Sequence, residues 1–482
     1  MKRFSKFINT SLIALALLLA SCGEDRTGEF IAKTEVDHWI EAQMQDIYLW
    51  YNEIPKLETS YYFYPADEFF PMLLSSNDKF SYIEMLDQET ASAGTKSIHI
   101  NSTTYGIEFV LTNDPTQTTS HQYARILYVL KNSPAARAGL KRGDWITTIN
   151  SKNLTQDNYG LLETGNGVTV TIAPIILTEQ TASWGEATEI QIQAAEAMEN
   201  NPFLVSEIIT SPQSGKKIGY LVYNEFVTGK TPNDPTDTSY LEEMKTVFQN
   251  FKNEGVDDFI LDLRYNNGGY IQCAQAMATM LAPASSLNGE FAHLVHNDKR
   301  QDLNYTYMFD SNYSSENLNL SKLYVISGVY TASSSELIIN SLRPYMDVKL
   351  LGVQTVGKNV AATQINSPYN FIMYPITATV YNKDNQSDYA NGFTPDYTIN
   401  ELNYLNWAEL GDTNELLLYN TLHLIEYGSA PDAENSESSG GEEGGNEGTT
   451  KAVKHYKSRQ ALQISYSSIS QKTRPAIIAT QH

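Results

Sequence analysis

Between about residues 204 and 427, short apolar runs alternate with helical segments, and this alternation constrains the fold more than any other feature of the sequence. The apolar runs are typical of strands buried on both faces, and they lie at Ile218 to Tyr223, Phe259 to Leu263, Leu323 to Ser327 and Leu350 to Val353. Helical periodicity marks Tyr240 to Phe251 and Ile271 to Leu281, and a helix at Glu336 to Leu342 is predicted because it follows a capped start. The pattern predicts an α/β domain, which we place at 204–430.

Two helices are predicted ahead of this domain, in an N-terminal helical region at 34–97. Apolar residues recur at helical spacing in 35–52, and Pro65 stands where a second helix begins, a position that tolerates proline. We expect the aromatic residues of these helices to pack together, although a role in substrate gating is the functional alternative.

Residues 1–21 have the pattern of a secretory signal peptide. A positive start precedes the apolar run Leu12 to Ala20, which is too short to span a bilayer permanently. The run ends at Ser21-Cys22-Gly23, which resembles a bacterial lipobox, whose cysteine becomes the lipidated first residue. We predict Cys22 as the lipidation site, 22–33 as a lipidated linker, and lipid as the only membrane anchor. The alternative is an ordinary secreted protein.

The signal peptide and the lipobox predict that the protein is located in the bacterial cell envelope. The residues after Cys22 are Gly23 and Glu24, so no Asp stands in the second position to indicate inner-membrane retention, and the outer membrane is favoured, on its periplasmic or surface face.

Removing 1–21, which carries three basic residues and no acid, takes the net charge from −23 to −26. So acidic a surface repels phosphate backbones, which argues against nucleic acid as a partner.

A β-rich module is predicted at 98–180, where short strand-like runs are separated by turn residues. At its centre, Ser133-Pro134-Ala135-Ala136-Arg137-Ala138-Gly139-Leu140-Lys141-Arg142-Gly143-Asp144 resembles the PDZ motif. The resemblance implies that the carboxylate-binding loop is Tyr105-Gly106-Ile107-Glu108-Phe109. A PDZ module binds a peptide as an added strand. A small β barrel without a ligand is the alternative.

Two motifs in the α/β domain could carry chemistry. The run Asp262-Leu263-Arg264-Tyr265-Asn266-Asn267-Gly268-Gly269 takes a strand into a tight glycine turn, whose N–H groups could approach an oxyanion or could serve shape alone. Ser333, three residues before Glu336, matches a helix capping box. A helix N-terminus also stabilises developing negative charge, so capping and catalysis are compatible roles for Ser333.

Nucleotide and metal binding are not expected. The run Gly352-Val353-Gln354-Thr355-Val356-Gly357-Lys358-Asn359 matches a phosphate-binding loop except at its last position, where Asn359 replaces the hydroxyl that should bind Mg²⁺. His293 and His296 would face opposite sides of a strand, and neither a His-Glu-x-x-His nor a Cys-x-x-Cys motif is present. Cys273 lies in an apolar run and is predicted to be a small core residue. We therefore predict no cofactor.

These motifs together resemble the carboxyl-terminal-processing, or tail-specific, serine peptidases over roughly 100–400. The runs that carry the resemblance are Asp262-Leu263-Arg264-x-Asn266-x-Gly268-Gly269, Thr331-Ala332-Ser333-x-Ser335-Glu336, Thr355-x-Gly357-Lys358 and Gly392-Phe393-Thr394-Pro395-Asp396. The family combines a signal, a PDZ domain and a crotonase-like α/β core. The resemblance implies Ser333 as nucleophile, Lys358 as general base, and backbone N–H groups of Gly268 or Gly269 and of Ser334 as oxyanion donors.

The sequence departs from the family in two places. Ser334 follows the nucleophile where many members have alanine, which changes little because only a backbone N–H is used there. Position 362 is alanine where many members have a glutamine that orients the lysine. Gln364, Thr363 or a backbone carbonyl could take that role.

The resulting prediction is a serine endopeptidase that cleaves peptides or proteins with accessible C-termini through an acyl-enzyme, with the PDZ module capturing the substrate. The rival hypothesis is a membrane-anchored PDZ scaffold without catalysis. The fold prediction is a multidomain α/β protein with a helical cap, a PDZ-like domain and a crotonase-like core. Residues 431–450 are predicted to be a flexible acidic linker rich in Gly, Ser and Glu. The basic tail, 451–482, could fold back on the acidic body or remain disordered.

Overall fold

The computed structural model of the protein describes residues 27–86, 100–178, 181–231, 236–434, 455–458 and 462–469. The predicted signal peptide at 1–21, the lipidation site Cys22 and residues 435–450 of the predicted linker at 431–450 lie outside the described residues. Within the described part of the chain, no helix is long and apolar enough to cross a membrane.

The N-terminal region contains both predicted helices, α1 (Thr27–Ile47) and α2 (Ala66–Met72), followed by strand β1 (Tyr82–Met85). The first helix begins earlier than the periodicity predicts. Its apolar face packs against α2 and against strand residues of the α/β domain, in a cluster of Ile40, Met44, Tyr48, Ala66, Phe69, Phe70, Leu73, Phe371 and Met373. Phe69 and Phe70 are fully buried, so these aromatics pack as expected.

The PDZ-like module follows. Its strands are β2 (Ile100–Thr104), β3 (Ile107–Asn113), β4 (Gln122–Val129), β5 (Trp145–Ile149), β6 (Lys152–Asn153), β7 (Val168–Ile172), β8 (Ile175–Leu177), β9 (Ala182–Trp184), β10 (Thr188–Ile192) and β11 (Glu196–Glu199). A short helix, α3 (Pro134–Arg137), begins after Ser133, whose Oγ accepts the Ala136 N–H. Strands β10, β7, β5, β4 and β3 are neighbours in that order, with β6 beside β5, while β8 pairs with β9 and β11 with β2.

The α/β domain is built on a six-stranded sheet of order β12-β13-β14-β17-β18-β23. Its strands are β12 (Phe203–Thr210), β13 (Lys217–Tyr223), β14 (Asp258–Asp262), β17 (Lys322–Ser327), β18 (Asp347–Gly352) and β23 (Tyr397–Thr398). Its helices are α4 (Ser239–Glu254), α5 (Ile271–Leu281), α6 (Ser334–Leu342) and α7 (Leu416–Tyr427). The four predicted runs are the central strands β13, β14, β17 and β18, which pair in parallel, and the prediction of a buried α/β core is confirmed.

Two smaller sheets complete the domain. Strands β16 (Tyr305–Met308), β15 (Glu290–His296), β22 (Ile376–Tyr381) and β19 (Val360–Ala362) form one sheet in that order. Strands β20 (Ile365–Asn366) and β21 (Phe371–Tyr374) form the other with β1, which attaches the N-terminal region to the α/β domain. Cys273 is buried without exposure in the main core, as predicted.

The C-terminal segment folds back on the body. His455 Nδ1 lies 2.8 Å from Asp432 Oδ2, and the Tyr456 carbonyl accepts the Leu405 N–H at 2.9 Å. Farther along, β24 (Ile464–Ser467) pairs antiparallel with β3 and completes the PDZ-like sheet. The sequence left open whether the tail folds back, and the structure shows that 455–458 and 462–469 do.

Candidate active site

Ser333 stands at the head of α6, directly after the loop that leaves β17. Its backbone has φ 60° and ψ −118°, a conformation that L-residues rarely adopt and that requires support from its surroundings. The side chain is fully buried, and among the described residues its Oγ has no hydrogen-bond partner. Ser333 therefore occupies the capping position without using its hydroxyl as a cap, so the N-cap interpretation does not account for that hydroxyl.

Lys358 lies in the loop between β18 and β19 and is also fully buried. Its Nζ has no hydrogen-bond partner within the described chain and lies 5.4 Å from the centre of the Phe80 ring. Burial lowers the pKa of Lys358 to about 7, because desolvation disfavours the ammonium form, while the charges of Asp78 and Glu336 oppose the shift. A lysine in this setting is substantially neutral near physiological pH and can accept a proton.

The carboxylate of Glu336 connects the two residues. Its Oε2 accepts the N–H groups of Ser333 at 2.9 Å and Lys358 at 2.8 Å. Its Oε1 accepts the Gly357 N–H at 2.7 Å and the Thr355 hydroxyl at 2.5 Å. Burial raises the pKa of Glu336, and these four hydrogen bonds act against that rise. The sequence identified Glu336 only as a capping residue, whereas in the structure it holds the backbones of Ser333 and Lys358 together.

The glycine turn after β14 lies against Ser333. A Cβ on Gly268 would lie 2.5 Å from the Ser333 Cβ and 2.9 Å from its Oγ, and Gly268 has φ +104°. Only glycine combines that conformation with so close an approach. The Asn266 side chain holds the turn, since its Oδ1 accepts the Gly268 N–H at 2.8 Å and its amide donates to the Tyr223 carbonyl at 2.9 Å.

Three backbone N–H groups were predicted as oxyanion donors, and they differ in whether they already have a hydrogen-bond acceptor. The Gly268 N–H already donates to Asn266. The N–H groups of Gly269 and Ser334 have no acceptor among the described residues, and the Ser334 hydroxyl donates to the Gly269 carbonyl at 2.7 Å, which ties the two segments together. Gly269 and Ser334 are therefore the donors available in this conformation.

Gln364, a predicted candidate for orienting Lys358, has a different partner. Its amide nitrogen donates to Asn366 Oδ1 at 3.0 Å at the exposed surface. The Thr363 hydroxyl pairs with that of Thr377 at 2.7 Å. Instead, the Phe80 ring centre lies 5.4 Å from Nζ and the charge of Asp78 raises the pKa of Lys358, and both of these residues belong to the N-terminal region. No local sequence signal connects Asp78 or Phe80 to Lys358, because the two segments are distant along the chain.

The predicted carboxylate-binding loop, Tyr105 to Phe109, begins directly after β2 and includes the first three residues of β3. Gly106 has φ +80°, and its carbonyl accepts the Leu130 N–H at 2.8 Å. The Phe109 N–H donates to the Ser468 hydroxyl at 2.9 Å, so the predicted loop contacts the C-terminal segment through its last residue.

In the part of the chain that the structure describes, the residues that were weighed against metal and phosphate binding have other partners. No group of three or more His, Cys, Asp or Glu side chains is placed to hold a metal ion there. His293 lies on β15 and its Nδ1 is 2.5 Å from Glu290 Oε1. In the loop that resembles a phosphate-binding motif, the N–H groups of Gly357 and Lys358 donate to Glu336, so a carboxylate occupies the place of a phosphate.

Comparison with known families gives three matches in chain order. The S41 peptidase N-terminal domain matches residues 35–82, a PDZ domain matches 125–172, and peptidase family S41 matches 217–399. These matches follow the N-terminal region, the PDZ-like sheet and the α/β domain. The predicted resemblance to carboxyl-terminal-processing peptidases is confirmed at the level of the family.

Relatives agree with these matches. A CtpA-like serine protease of Staphylococcus aureus is 24% identical over 324 residues, which are 67% of this chain and 58% of that protein. A carboxy-terminal-processing protease of Bartonella bacilliformis is 23% identical over 402 residues, 82% of this chain and 81% of that protein. A crystal structure assigned to the S41 proteases, from Bacteroides fragilis, is 34% identical with a TM-score of 0.72 and covers 80% of this chain and 97% of its own. That likeness confirms the multidomain α/β fold.

Proposed function

Because the chain belongs to peptidase family S41, we propose that it is a serine endopeptidase that cleaves proteins or peptides near their C-termini. The observation that carries the proposal is the pairing of a strained, buried serine with a buried lysine whose pKa is about 7, both held by one carboxylate. This pairing supplies the two groups that serine acylation needs, a hydroxyl nucleophile and a neutral base. The family match favours a peptidase over the non-catalytic scaffold that the sequence also allows.

In the proposed mechanism, neutral Lys358 accepts the proton of the Ser333 hydroxyl as Oγ attacks the scissile carbonyl carbon. The N–H groups of Gly269 and Ser334 stabilise the tetrahedral oxyanion, and Lys358 then gives its proton to the leaving amine. Water, deprotonated by Lys358, hydrolyses the acyl-enzyme and restores the serine. Since Ser333 is fully buried here, a substrate must open a path to it.

Substrate capture is proposed for the PDZ-like domain. PDZ modules add a peptide as an extra strand at a sheet edge, and the loop Tyr105 to Phe109 runs into β3, whose outer edge is the one that β24 covers in this structure. The captured C-terminal part of the substrate would be presented to Ser333 in the neighbouring domain.

The experiment that tests the proposal measures cleavage of an unstructured substrate with an apolar free C-terminus. We compare the protein from residue 24 onward with its Ser333→Ala and Lys358→Ala variants, each checked for folding by circular dichroism. Both substitutions are expected to reduce cleavage by at least about 10³-fold, since each removes a group that acylation requires.

Matched surface variants serve as controls. Ser314→Ala and Lys322→Ala remove the same functional groups at sites with ordinary exposure, and Lys322 is 41% exposed in an ion pair with Asp347. Both should retain parental activity. A folded parent that binds peptide without cleaving it would instead support the scaffold hypothesis, and cleavage that persists in Ser333→Ala would reject this nucleophile.

We also propose that the mature protein is held at the cell envelope, on the outer membrane, by lipid on Cys22. The support is the sequence alone, since Cys22 lies outside the described residues. Expressed with its own signal in a bacterial host, the parent should partition into detergent, and Cys22→Ser should partition into the aqueous phase or remain as precursor. Equal partitioning of the two forms into detergent would reject the lipid anchor.

A further inference from the structure

The C-terminal segment, residues 462–469, occupies the free edge of the PDZ-like sheet. Its strand β24 runs antiparallel to β3, with Ile464 opposite Thr112 and Ser467 opposite Val110. On its other side β3 pairs with β4, so the tail covers the edge that β3 would otherwise expose. An exposed edge is where a PDZ module adds a peptide strand, and the chain's own tail is in that place.

Side-chain contacts reinforce the pairing along its length. The Asn113 side chain accepts the Gln463 N–H at 2.8 Å, and the Gln122 amide donates to the Ser465 hydroxyl at 2.7 Å. At the far end, the Ser468 hydroxyl accepts the Phe109 N–H at 2.9 Å and donates to Glu108 Oε2 at 2.6 Å. Ser468 is fully buried, and Glu108 and Phe109 belong to the predicted peptide-binding loop. The tail thus engages the residues expected to bind a peptide.

Tyr466 fills a pocket in the groove between β3, which carries Phe109, and the segment that carries Tyr159. Its ring centre lies 3.9 Å from that of Tyr159 and 5.7 Å from that of Phe109, and the side chain is 8% exposed. Its hydroxyl donates to a carboxylate oxygen of Glu163. Burial and that carboxylate both raise the pKa of Tyr466, so the hydroxyl stays protonated and remains a donor. An aromatic floor with an acceptor at its end suits a tyrosine better than a phenylalanine.

The same segment continues to the α/β domain. Ile469 packs with Val110 of β3 and with Tyr265 and Tyr330 of the core. Its carbonyl accepts the amide of Asn267, the residue before Gly268, at 3.4 Å. A strand bound in this groove therefore runs from the PDZ-like sheet towards the glycine turn that packs on Ser333.

We propose that residues 462–469 are an intramolecular ligand of the PDZ-like domain, and that the groove they fill selects peptides with a tyrosine at the place of Tyr466. One edge of β3 cannot pair with two strands, so a substrate must displace the tail before it is captured. The proposal rests on the proposed function in taking this groove as the substrate-capture site, but its test measures binding and does not need cleavage.

A free peptide must compete with a tail that is covalently attached to the same protein. A segment joined to its own binding site competes at an effective concentration that reaches the order of millimolar for a flexible tether. A free peptide of equal intrinsic affinity then binds weakly until the tail is loosened. Tyrosine-bearing substrates that contact the groove more extensively would bind in preference, so that the tail sets a threshold for capture.

The test uses the protein from residue 24 to its C-terminus carrying Ser333→Ala, so that no probe is cleaved. The probe is a fluorescent peptide with the sequence of residues 462–469, and its affinity is measured by anisotropy. Tyr466→Ala in the tail should raise probe affinity at least about tenfold, because it weakens the competing segment. Ile464→Ala is the matched control, since that side chain on the same strand is 38% exposed, and it should bind the probe nearly as weakly as the parent.

A second comparison tests the pocket. In the Tyr466→Ala protein, a probe with phenylalanine in place of tyrosine should bind about three- to tenfold more weakly than the tyrosine probe. Adding Glu163→Gln should remove most of that difference, because the acceptor of the hydroxyl is weakened. Equal binding of the two probes before that change would overturn the tyrosine preference.

Three results bear on the tail itself. Probe affinity that is the same in the folded parent and the Tyr466→Ala protein would overturn the intramolecular ligand. Dimers in the parent that dissociate in Tyr466→Ala would overturn it in favour of exchange of tails between copies. Absence of cleavage by the folded parent in the dyad test, with tail competition intact, would reject the proposed function and leave this inference standing.

Discussion

At the scale of single residues, the chemistry of the site depends on the environment of Lys358. Full burial without a hydrogen-bond partner in the described chain brings the pKa of its ammonium to about 7, and the charges of Asp78 and Glu336 keep it from falling further. A base is most useful when its pKa lies near the working pH. Asp78 approaches from the N-terminal region, where the Tyr48 hydroxyl donates to it at 2.7 Å, so that region contributes to the base as well as to packing.

This environment predicts how peptidase activity depends on pH. Below pH 7 Lys358 is protonated and cannot accept the serine proton, so kcat/KM should rise about tenfold per pH unit and level off above about 7. Asp78→Asn removes a charge that raises the pKa of Lys358, so the rising limb should move to lower pH, and activity at pH 8 should change little.

Asp384→Asn is the matched control, because Asp384 pairs with Lys383 at the surface. Its pH profile should overlay that of the parent. If the rising limb of the Asp78→Asn pH profile stays at the parental position or moves to higher pH, the assignment of that limb to Lys358 is contradicted.

At the scale of elements, the turn after β14 and the start of α6 form one unit. Gly268 packs on Ser333, and the Ser334 hydroxyl and the Ser335 hydroxyl each donate to a carbonyl of the turn region, those of Gly269 and Asn266. Such mutual support explains how Ser333 remains in a strained conformation at φ 60°. The nucleophile is therefore positioned by two chain segments, neither of which does so alone.

Gly268→Ala tests this coupling. The added Cβ would lie 2.9 Å from the Ser333 Oγ, so either the turn or the nucleophile must shift, and we expect kcat to fall at least about 10²-fold with a smaller change in KM. Gly139→Ala is the control for backbone strain alone, because Gly139 has φ +90° and a Cβ there would meet nothing within 4 Å.

Gly139→Ala should lower the free energy of unfolding by on the order of 1–2 kcal/mol, and Gly268→Ala by at least as much because its Cβ also clashes, measured by urea denaturation. Only Gly268→Ala should lose activity. If Gly139→Ala loses as much activity, or Gly268→Ala retains it, the contact with Ser333 is not what requires glycine.

At the scale of the whole molecule, buried charges join the PDZ-like domain to the α/β domain. Arg142 Nη2 donates to Glu401 at 2.7 Å and to Glu415 at 3.2 Å, and Arg264 Nη1 donates to the same two carboxylates at 2.8 and 2.7 Å. Asp262 completes the network beside Arg264. The two arginines lower the pKa of Glu401 and Glu415, so these carboxylates stay ionised in the interior. Removing either arginine leaves buried charge uncompensated.

Arg142→Ala should therefore destabilise the protein by roughly 3–5 kcal/mol and release the PDZ-like domain, measured by denaturant unfolding and by limited proteolysis. Arg137→Ala provides the comparison, because its ion pair with Glu196 joins side chains that are 48% and 51% exposed. Arg137→Ala should lower the free energy of unfolding by no more than about 1 kcal/mol. Similar losses in both variants would mean that the buried network does not hold the domains together.

Much of the molecule could be read from local patterns in the sequence. Periodicity located the helices α1, α2, α4 and α5, a capping pattern located α6, and continuous apolar runs located the four central strands. Burial imposes such patterns on the local sequence whatever the partner is. Motif spacing placed Ser333 at the head of a helix and Gly268 in a strand-to-helix turn, where the structure has them. Each of these inferences concerns a residue and its near neighbours in the chain.

Contacts between distant segments were decided by the tertiary structure. The sequence left the lysine-orienting group among Gln364, Thr363 and a carbonyl, yet the ring beside the ammonium is that of Phe80, and the charge that most raises its pKa is that of Asp78. It recognised Glu336 as a cap but not as the link between Ser333 and Lys358. The physical reason is that the spacing of apolar residues along the chain shows which side chains are buried, whereas the chain topology determines which residues bury them. For the same reason the sequence could not show that residues 464–467 of the basic tail pair with β3, or that Tyr466 meets Glu163.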